Sequence, residues 1–281
     1  MIAKNPMQLK ALIKKKASEN NVTAQSVLQN YMLERLLERI SLSPYKNSFI
    51  LKGGFLISAV VGIDARTTMD LDTTLKGLPL TEDVMNHIFT QICSMRIEDD
   101  VSFRVIGISK IRKQDDYAGF RVSLSADCPP ISVPLSVDVT TGDVITPREI
   151  DYEISLLFED RKIRVLTYNL ETLLAEKIET VLSRNIANTR LRDYYDIHIL
   201  YITHWKECDK KTLRSALERT AQKRRSTYIL KDHSSILNEI RRSVQLNQRW
   251  EKYRNEFLYA KDISFEDVCH SIRSILLTID I

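Results

Sequence analysis

Cysteine is scarce in this chain of 281 residues: Cys93, Cys128, Cys208 and Cys269 lie far apart, and none belongs to a C-x-x-C pair. That spacing excludes a disulfide framework and any zinc site legible from sequence. The five histidines fall into no H-E-x-x-H or related pattern, so each reads as a surface or hydrogen-bonded residue. Glycine and proline, seven of each and scattered, exclude a low-complexity or linker-rich chain. The longest apolar stretch, Phe55 to Ile63, is far too short to span a bilayer. Lys10, Lys14, Lys15 and Lys16 precede no apolar segment of the kind a secretory signal needs, so a cytoplasmic protein is expected.

What remains is an ordinary globular composition, 43% hydrophobic and 28% charged. Such a chain can bury a sizeable core as one large or two intimate domains. The net charge of +4 is unevenly spread. Residues 1–160 hold 18 basic and 21 acidic side chains, whereas 161–281 hold 23 and 16. The basic excess concentrates between Lys206 and Arg254, in Lys210-Lys211, Lys223-Arg224-Arg225 and Arg241-Arg242. With Trp205, Tyr228, Trp250 and Tyr253 interleaved, the region suits a phosphate-rich partner or, more simply, a solvated helical face.

Periodicity predicts amphipathic helices over 7–18 and 23–41, the second capped by Thr23 and ended by Ser43-Pro44. A short strand, Phe49 to Leu51, runs into the glycine pair, and 55–61 reads as helix. Thr68 to Leu75 is the next strand and Thr81 to Ser94 a helix. Strands are expected over Val101–Ser109, Gly119–Ala126 and Ser132–Val139, separated by turns at Asp115-Asp116 and Pro129-Pro130, with a last one at Ile163–Leu166. The plan is α+β: a mixed unit over 1–165, then a helical, basic unit over 166–281, with no flexible linker between them.

The segment richest in chemistry is Lys52-Gly53-Gly54, followed after an apolar spacer by Arg66-Thr67-Thr68-Met69-Asp70-Leu71-Asp72. A glycine pair lets the backbone turn sharply and offer N–H groups to a phosphate. Alternate positions of a strand share a face, so Asp70 and Asp72 point together, away from Leu71. Such a pair suits Mg²⁺ (or Mn²⁺) on a bound triphosphate. A third carboxylate is expected at Asp138: Leu135, Val137 and Val139 share the opposite, core-facing side of its strand. Asp143, in Thr141-Gly142-Asp143, reads as turn chemistry.

In 170–200, Lys177 falls inside the apolar arc of Leu173, Leu174, Ile178, Val181 and Leu182, and Arg184 lies seven residues on. An inward ammonium must find an anion, either a structural carboxylate or nucleotide phosphates, and the glycine–aspartate motif favours the phosphates. Asp193 and Asp196 bring opposite charge to the next helix. They either form an ion pair between helices, with Arg184 or Arg190, or orient Lys177 or a metal-bound water.

Taken together, Leu51-Lys52-Gly53-Gly54, Arg66-x-Thr68-x-Asp70-x-Asp72, Val137-Asp138-Val139, Leu174-Ala175-Glu176-Lys177 and Arg192-Asp193-Tyr194-Tyr195-Asp196 resemble the AbiEii/AbiGii nucleotidyltransferase toxins of bacterial abortive-infection and toxin–antitoxin loci. The resemblance runs to about residue 205. It implies a polymerase-β-like core with a helical C-terminal domain, and Mg²⁺-dependent transfer of a nucleoside monophosphate from an NTP. An RNA acceptor, plausibly a tRNA 3′ end, and a separately encoded antitoxin are implied as well. Carried onto this chain, Lys52, Gly53, Gly54, Arg66, Thr68, Lys177 and Arg184 would contact nucleotide. Asp70, Asp72 and Asp138 would hold metal, with Asp193 or Asp196 supporting the site. Gly54 stands where the broader superfamily usually has serine. Competing expectations are nucleotidylation of a small molecule or protein, and a non-catalytic nucleotide- or RNA-binding protein.

Overall fold

Alternating apolar residues between 49 and 167 assemble into one mixed sheet in the computed structural model, which describes residues 6–111 and 119–281. The Asp115-Asp116 turn lies outside the described residues. Two helices, α1 (Pro6–Glu19) and α2 (Ala24–Leu42), lead into β1 (Phe49–Lys52), α3 (Gly53–Val61), β2 (Asp70–Leu75) and α4 (Glu82–Ser94). The strands β3 (Ser102–Lys110), β4 (Gly119–Cys128), β5 (Ile131–Thr141), β6 (Ile150–Ser155) and β7 (Lys162–Thr167) follow. The described strands order as β3-β4-β5-β2-β1-β7-β6, parallel at β2/β5 and β1/β7 and antiparallel elsewhere. β6 has no counterpart in the sequence reading, because Asp151, Tyr152 and Glu153 lack apolar alternation and only Ile154 is buried.

One face of the sheet is core. Leu71 stands beside Val137, Val122 beside Val137 and Leu124 beside Leu135, all buried. Helices α2 and α4 pack on strands of this sheet, with Phe89 edge-on to Phe49 at 5.7 Å. Side-chain hydroxyls of Thr23 and Thr81 cap α2 and α4.

The expectation of an amphipathic α2 is corrected: every residue from Gln29 to Ile40 is buried. Its charges survive burial because each finds a partner. Arg35 reaches Glu34 at 2.7 Å, Glu38 at 2.9 Å and Glu159 at 2.7 Å, and Arg39 grips Asp99 with both Nη atoms at 2.8 and 2.7 Å. Glu34 also accepts the Leu157 N–H at 2.8 Å. Gln29 donates to the carbonyls of Met69 and Pro134, tying α2 to the entry of β2 and to β5.

The chain divides into two compact units, Met1–Asp143 with Ile150–Thr167, and Val144–Glu149 with Tyr168–Ile281. The second is helical: α5 (Leu170–Arg184), α6 (Leu191–His204), α7 (Lys210–Lys223), α8 (Tyr228–Arg242), α9 (Val244–Glu256) and α10 (Phe265–Thr278). Its core gathers Leu174, Ile178, Tyr194, Ile197, Leu217, Ile240, Trp250 and Ile272. Residues 144–149 join it through Thr146, whose N–H donates to Thr172 and whose carbonyl accepts from Asn169. No described helix is long and apolar enough to cross a membrane.

Burial pushes the Glu34 carboxyl up to about 7, against the charge of Arg35 and the Leu157 N–H. Its contribution to stability is therefore full below the ordinary value of 4.5 and is lost as pH rises through about 7. In Glu34→Gln, chemical denaturation across that window should show a flatter stability profile. Arg35→Ala leaves Glu34 without its ionic partner, while Glu38 and Glu159 keep Arg161, and should cost about 3–5 kcal/mol, read from the urea midpoint of the sheet unit.

Candidate active site

The sheet face opposite the core is polar. On β2 it carries Asp70, Asp72 and Thr74, on β5 Ser136, Asp138 and Thr140, on β4 Arg121 and Ser123, and on β1 Lys52. Parallel pairing of β2 with β5 sets Asp70 beside Ser136 and Asp72 beside Asp138. Asp70, Asp72 and Asp138, separated by up to 68 residues in sequence, thus share one face of neighbouring strands. Antiparallel pairing places Arg121 beside Asp138 on the other side.

The glycine pair is the first turn of α3 itself, so the helix starts at Gly53 and not at 55. Gly53 has φ +66°, and a Cβ there would run into the Asp72 carboxylate. The missing side chain lets Asp72 lie against a helix N-terminus, where unpaired N–H groups favour negative charge. A Cβ on Gly54 would stand 2.9 Å from Thr68 Oγ1 and 3.0 Å from the Arg66 guanidinium. Arg66, Thr68, Gly53 and Gly54 therefore meet at the start of α3. Arg66 is buried and donates to the Thr67 carbonyl.

Lys52, expected among the nucleotide contacts, finds partners on β5 and just beyond it. Its ammonium pairs with Asp143 and donates to Thr140 at 2.7 Å, and Thr74 also bonds Asp143. Burial pushes the Asp143 carboxyl up, but Lys52 and the hydroxyls of Thr74 and Thr140 hold it well below the usual carboxylate range. Asp143 is thus more than a turn residue: it anchors the end of β5 beneath the polar face.

Asp138 is held by Arg121, whose Nε and Nη2 donate to its two oxygens at 2.8 Å each. These bonds and the charge of Asp138 push Arg121 above its ordinary range, and Asp70 and Asp72 add to that field. The sequence reading did not find Arg121. The signal was the Pro129-Pro130 turn, since a hairpin pairing Cys128 with Ile131 sets Arg121 opposite Asp138.

A divalent cation fits the donor chemistry of this face, which offers hard carboxylate oxygens, with the Asp72 carboxylate lying where a Cβ at Gly53 would be. Among the described residues, however, no three acidic, histidine or cysteine side chains form a ready-made metal cluster. The expected ligands Asp70, Asp72 and Asp138 share this face, and both Asp138 oxygens accept from Arg121.

Within the helical unit, Lys177 Nζ lies 2.7 Å from Asp193 Oδ1 and 2.8 Å from Asp196 Oδ2. Burial pushes its pKa down, and the two carboxylates more than reverse that, holding it above the ordinary lysine range. Of the anions expected for Lys177, the structure supplies the two carboxylates. The helix-joining pair is Lys177 with Asp193 and Asp196, whereas Arg184 and Arg190 are exposed.

The aromatic residues of the basic region are also corrected. Trp250 is fully buried and donates to the Ile263 carbonyl at 3.0 Å; Tyr253 stacks on it. Trp205 lies under the Lys210 ammonium at 3.6 Å. Tyr228 alone of the four is exposed, at 50%. A groove of about 770 Å³ runs between α4 and the edge strand β3, and none of the candidate residues lines it.

Gly53→Ala should lose markedly more stability than Gly77→Ala. Both glycines have positive φ, at +66° and +75°, but a Cβ at Gly77 meets nothing within 4 Å. The backbone term alone is about 1 kcal/mol, so thermal denaturation should place Gly77→Ala near that cost and Gly53→Ala well beyond it.

The family described as Nucleotidyl transferase AbiEii toxin, Type IV TA system, matches residues 35–271. A solved structure described as that of a candidate nucleotidyltransferase from H. pylori superposes with a TM-score of 0.50 at 14% identity, covering 92% of this chain and 96% of that one. JHP933 from Helicobacter pylori gives 0.49 at 14% identity, with 92% of each chain covered. At such identity the first likeness speaks for fold alone: a mixed sheet with helices, as in nucleotidyltransferase structures. No curated protein matches the chain.

Proposed function

The chain belongs to the AbiEii family of nucleotidyl transferase toxins, and from that premise we propose that it transfers a nucleoside monophosphate from an NTP to an RNA acceptor, plausibly a tRNA 3′ end. The observation that carries this reading is the placement of Asp72 between Asp138 and the N-terminus of α3. The backbone N–H groups of Gly53 and Gly54 face the triphosphate, and Arg66 and Thr68 line the same turn. Asp70 and Asp72 would hold Mg²⁺ or Mn²⁺, which supplies charge neutralisation on the phosphates.

The acceptor hydroxyl oxygen bonds to the α-phosphorus, the bond from that phosphorus to the α–β bridging oxygen breaks, and pyrophosphate leaves. The hydroxyl proton passes to Asp138, the carboxylate nearest Asp72 across the strands. Such a transfer asks the protein mainly for positioning and charge compensation. Within the helical unit Lys177 is fixed by Asp193 and Asp196, with Arg184 an exposed cation seven residues further along the same helix. The exposed lysines and arginines of α7–α9 hold the RNA backbone electrostatically, without base stacking from Trp250 or Tyr253. Membership of a type IV toxin–antitoxin family brings with it an antitoxin partner.

Incubating the protein with total RNA and each α-labelled NTP in turn should label one RNA class. Asp70→Asn and Asp72→Asn should each lower labelling by about 10²-fold or more and relieve growth inhibition, with unchanged circular dichroism. Labelling of small molecules only would overturn the RNA assignment. RNA binding by the double variant should fall steeply between low and physiological salt.

A further inference from the structure

We propose that Arg192, laid over the Phe257 ring in the helical unit, is a stacking platform for a nucleobase and its flanking phosphate. The inference deepens the reading that this chain acts on nucleotides and RNA, and rests on it.

Local sequence builds the support. Helix α9 ends where Phe257 leaves it at φ −115°, its N–H still bonded to the Tyr253 carbonyl at 2.9 Å. A single 3-10 turn, Leu258–Ala260, follows, and Arg254 closes the bend by donating from Nε to the Lys261 carbonyl at 2.8 Å. Behind the bend the rings interlock. Phe257 stacks on Tyr259 at 5.4 Å and 25°, Tyr259 meets Tyr195 of α6 at 4.7 Å, and the hydroxyls of Tyr253 and Tyr259 lie 3.2 Å apart. A surface fixed in this way loses little freedom when a ligand lands on it.

Arg192 completes the platform from α6. Its guanidinium lies 5.2 Å from the centre of the Phe257 ring. The neighbouring acid, Asp193, is committed to Lys177 at 2.7 Å, and among the described residues no carboxylate pairs with Arg192. Arg192 and Phe257 are half-buried, and Leu258, next in the chain, is 56% exposed. A guanidinium resting on a ring, with no counter-ion, offers two chemistries at once: a flat cationic face for a π system and N–H edges for an anion. A carboxylate on a partner protein would use the edges and leave the flat face and Leu258 bare. A nucleotide uses all three, with its base on the face, its phosphate at the edge and apolar contact from Leu258. Trp250 and Tyr253, buried in the core behind Phe257, supply rigidity to this surface.

Fluorescence anisotropy of a labelled single-stranded RNA hexamer, compared with hexamers made abasic at each position in turn, separates stacking from charge. Arg192→Lys keeps the charge and removes the plane. It should weaken binding of the intact hexamer about tenfold and that of the hexamer abasic at the stacked position less than about twofold, with an unchanged melting temperature. A second arm replaces RNA with each NTP and with ribose 5′-triphosphate. A loss confined to the NTPs assigns the stacked base to the nucleotide substrate, and one confined to RNA assigns it to the acceptor. Equal losses for base-bearing and abasic ligands, or no loss for either in both Arg192→Lys and Arg192→Ala, would overturn the platform while leaving nucleotide and RNA binding in place. Wild-type protein that binds neither RNA nor NTP would overturn the functional reading itself, and this inference with it.

Discussion

The parallel pairing of β2 with β5 is the constraint on which the candidate site depends. Through it Asp72 and Asp138 become neighbours across strands that are more than 60 residues apart in sequence. A slip of β2 by one residue would turn Asp70 and Asp72 towards the core and Leu71 out of it. The hydrophobic pattern of both strands forbids that shift. Core packing and site geometry are thus two consequences of one register.

Most acidic groups discussed above have a positive environment assigned by the fold. Asp72 has the N-terminus of α3, Asp138 the fork of Arg121, Asp143 the ammonium of Lys52, and Asp193 with Asp196 share Lys177. The same principle runs through α2, where Glu34, Glu38 and Glu159 surround Arg35. Removing one partner of a buried pair leaves an uncompensated charge, so such networks fix geometry even where their net contribution to stability is small. For a site that works by positioning, fixed geometry is what matters.

Local patterns made much of this legible in the sequence. Alternation around Leu71 put Asp70 and Asp72 on one face, and the apolar flanks of Asp138 marked it as a carboxylate in a core strand. The helical arc around Lys177 announced a partner. What stayed hidden depends on non-local contacts. Arg121 is one polar residue among several on β4 until the hairpin register places it at Asp138. Asp143 looks like any turn aspartate until Lys52 reaches it from β1. Trp250 and Tyr253, spaced among basic residues, looked like a stacking surface, but their faces are consumed by the helical core. The all-round burial of α2 escaped because its charged residues read as solvent-facing.

The central claim is that the glycine-started helix α3 and the Asp70–Asp72 pair together receive a metal-bound triphosphate. A crystal structure with Mn²⁺ and a non-hydrolysable NTP analogue tests it most directly. The account predicts an anomalous Mn²⁺ peak bridging Asp70 and Asp72, with the phosphates on the N–H groups of Gly53 and Gly54. A triphosphate bound away from α3, or Mn²⁺ bound without either aspartate, would contradict it.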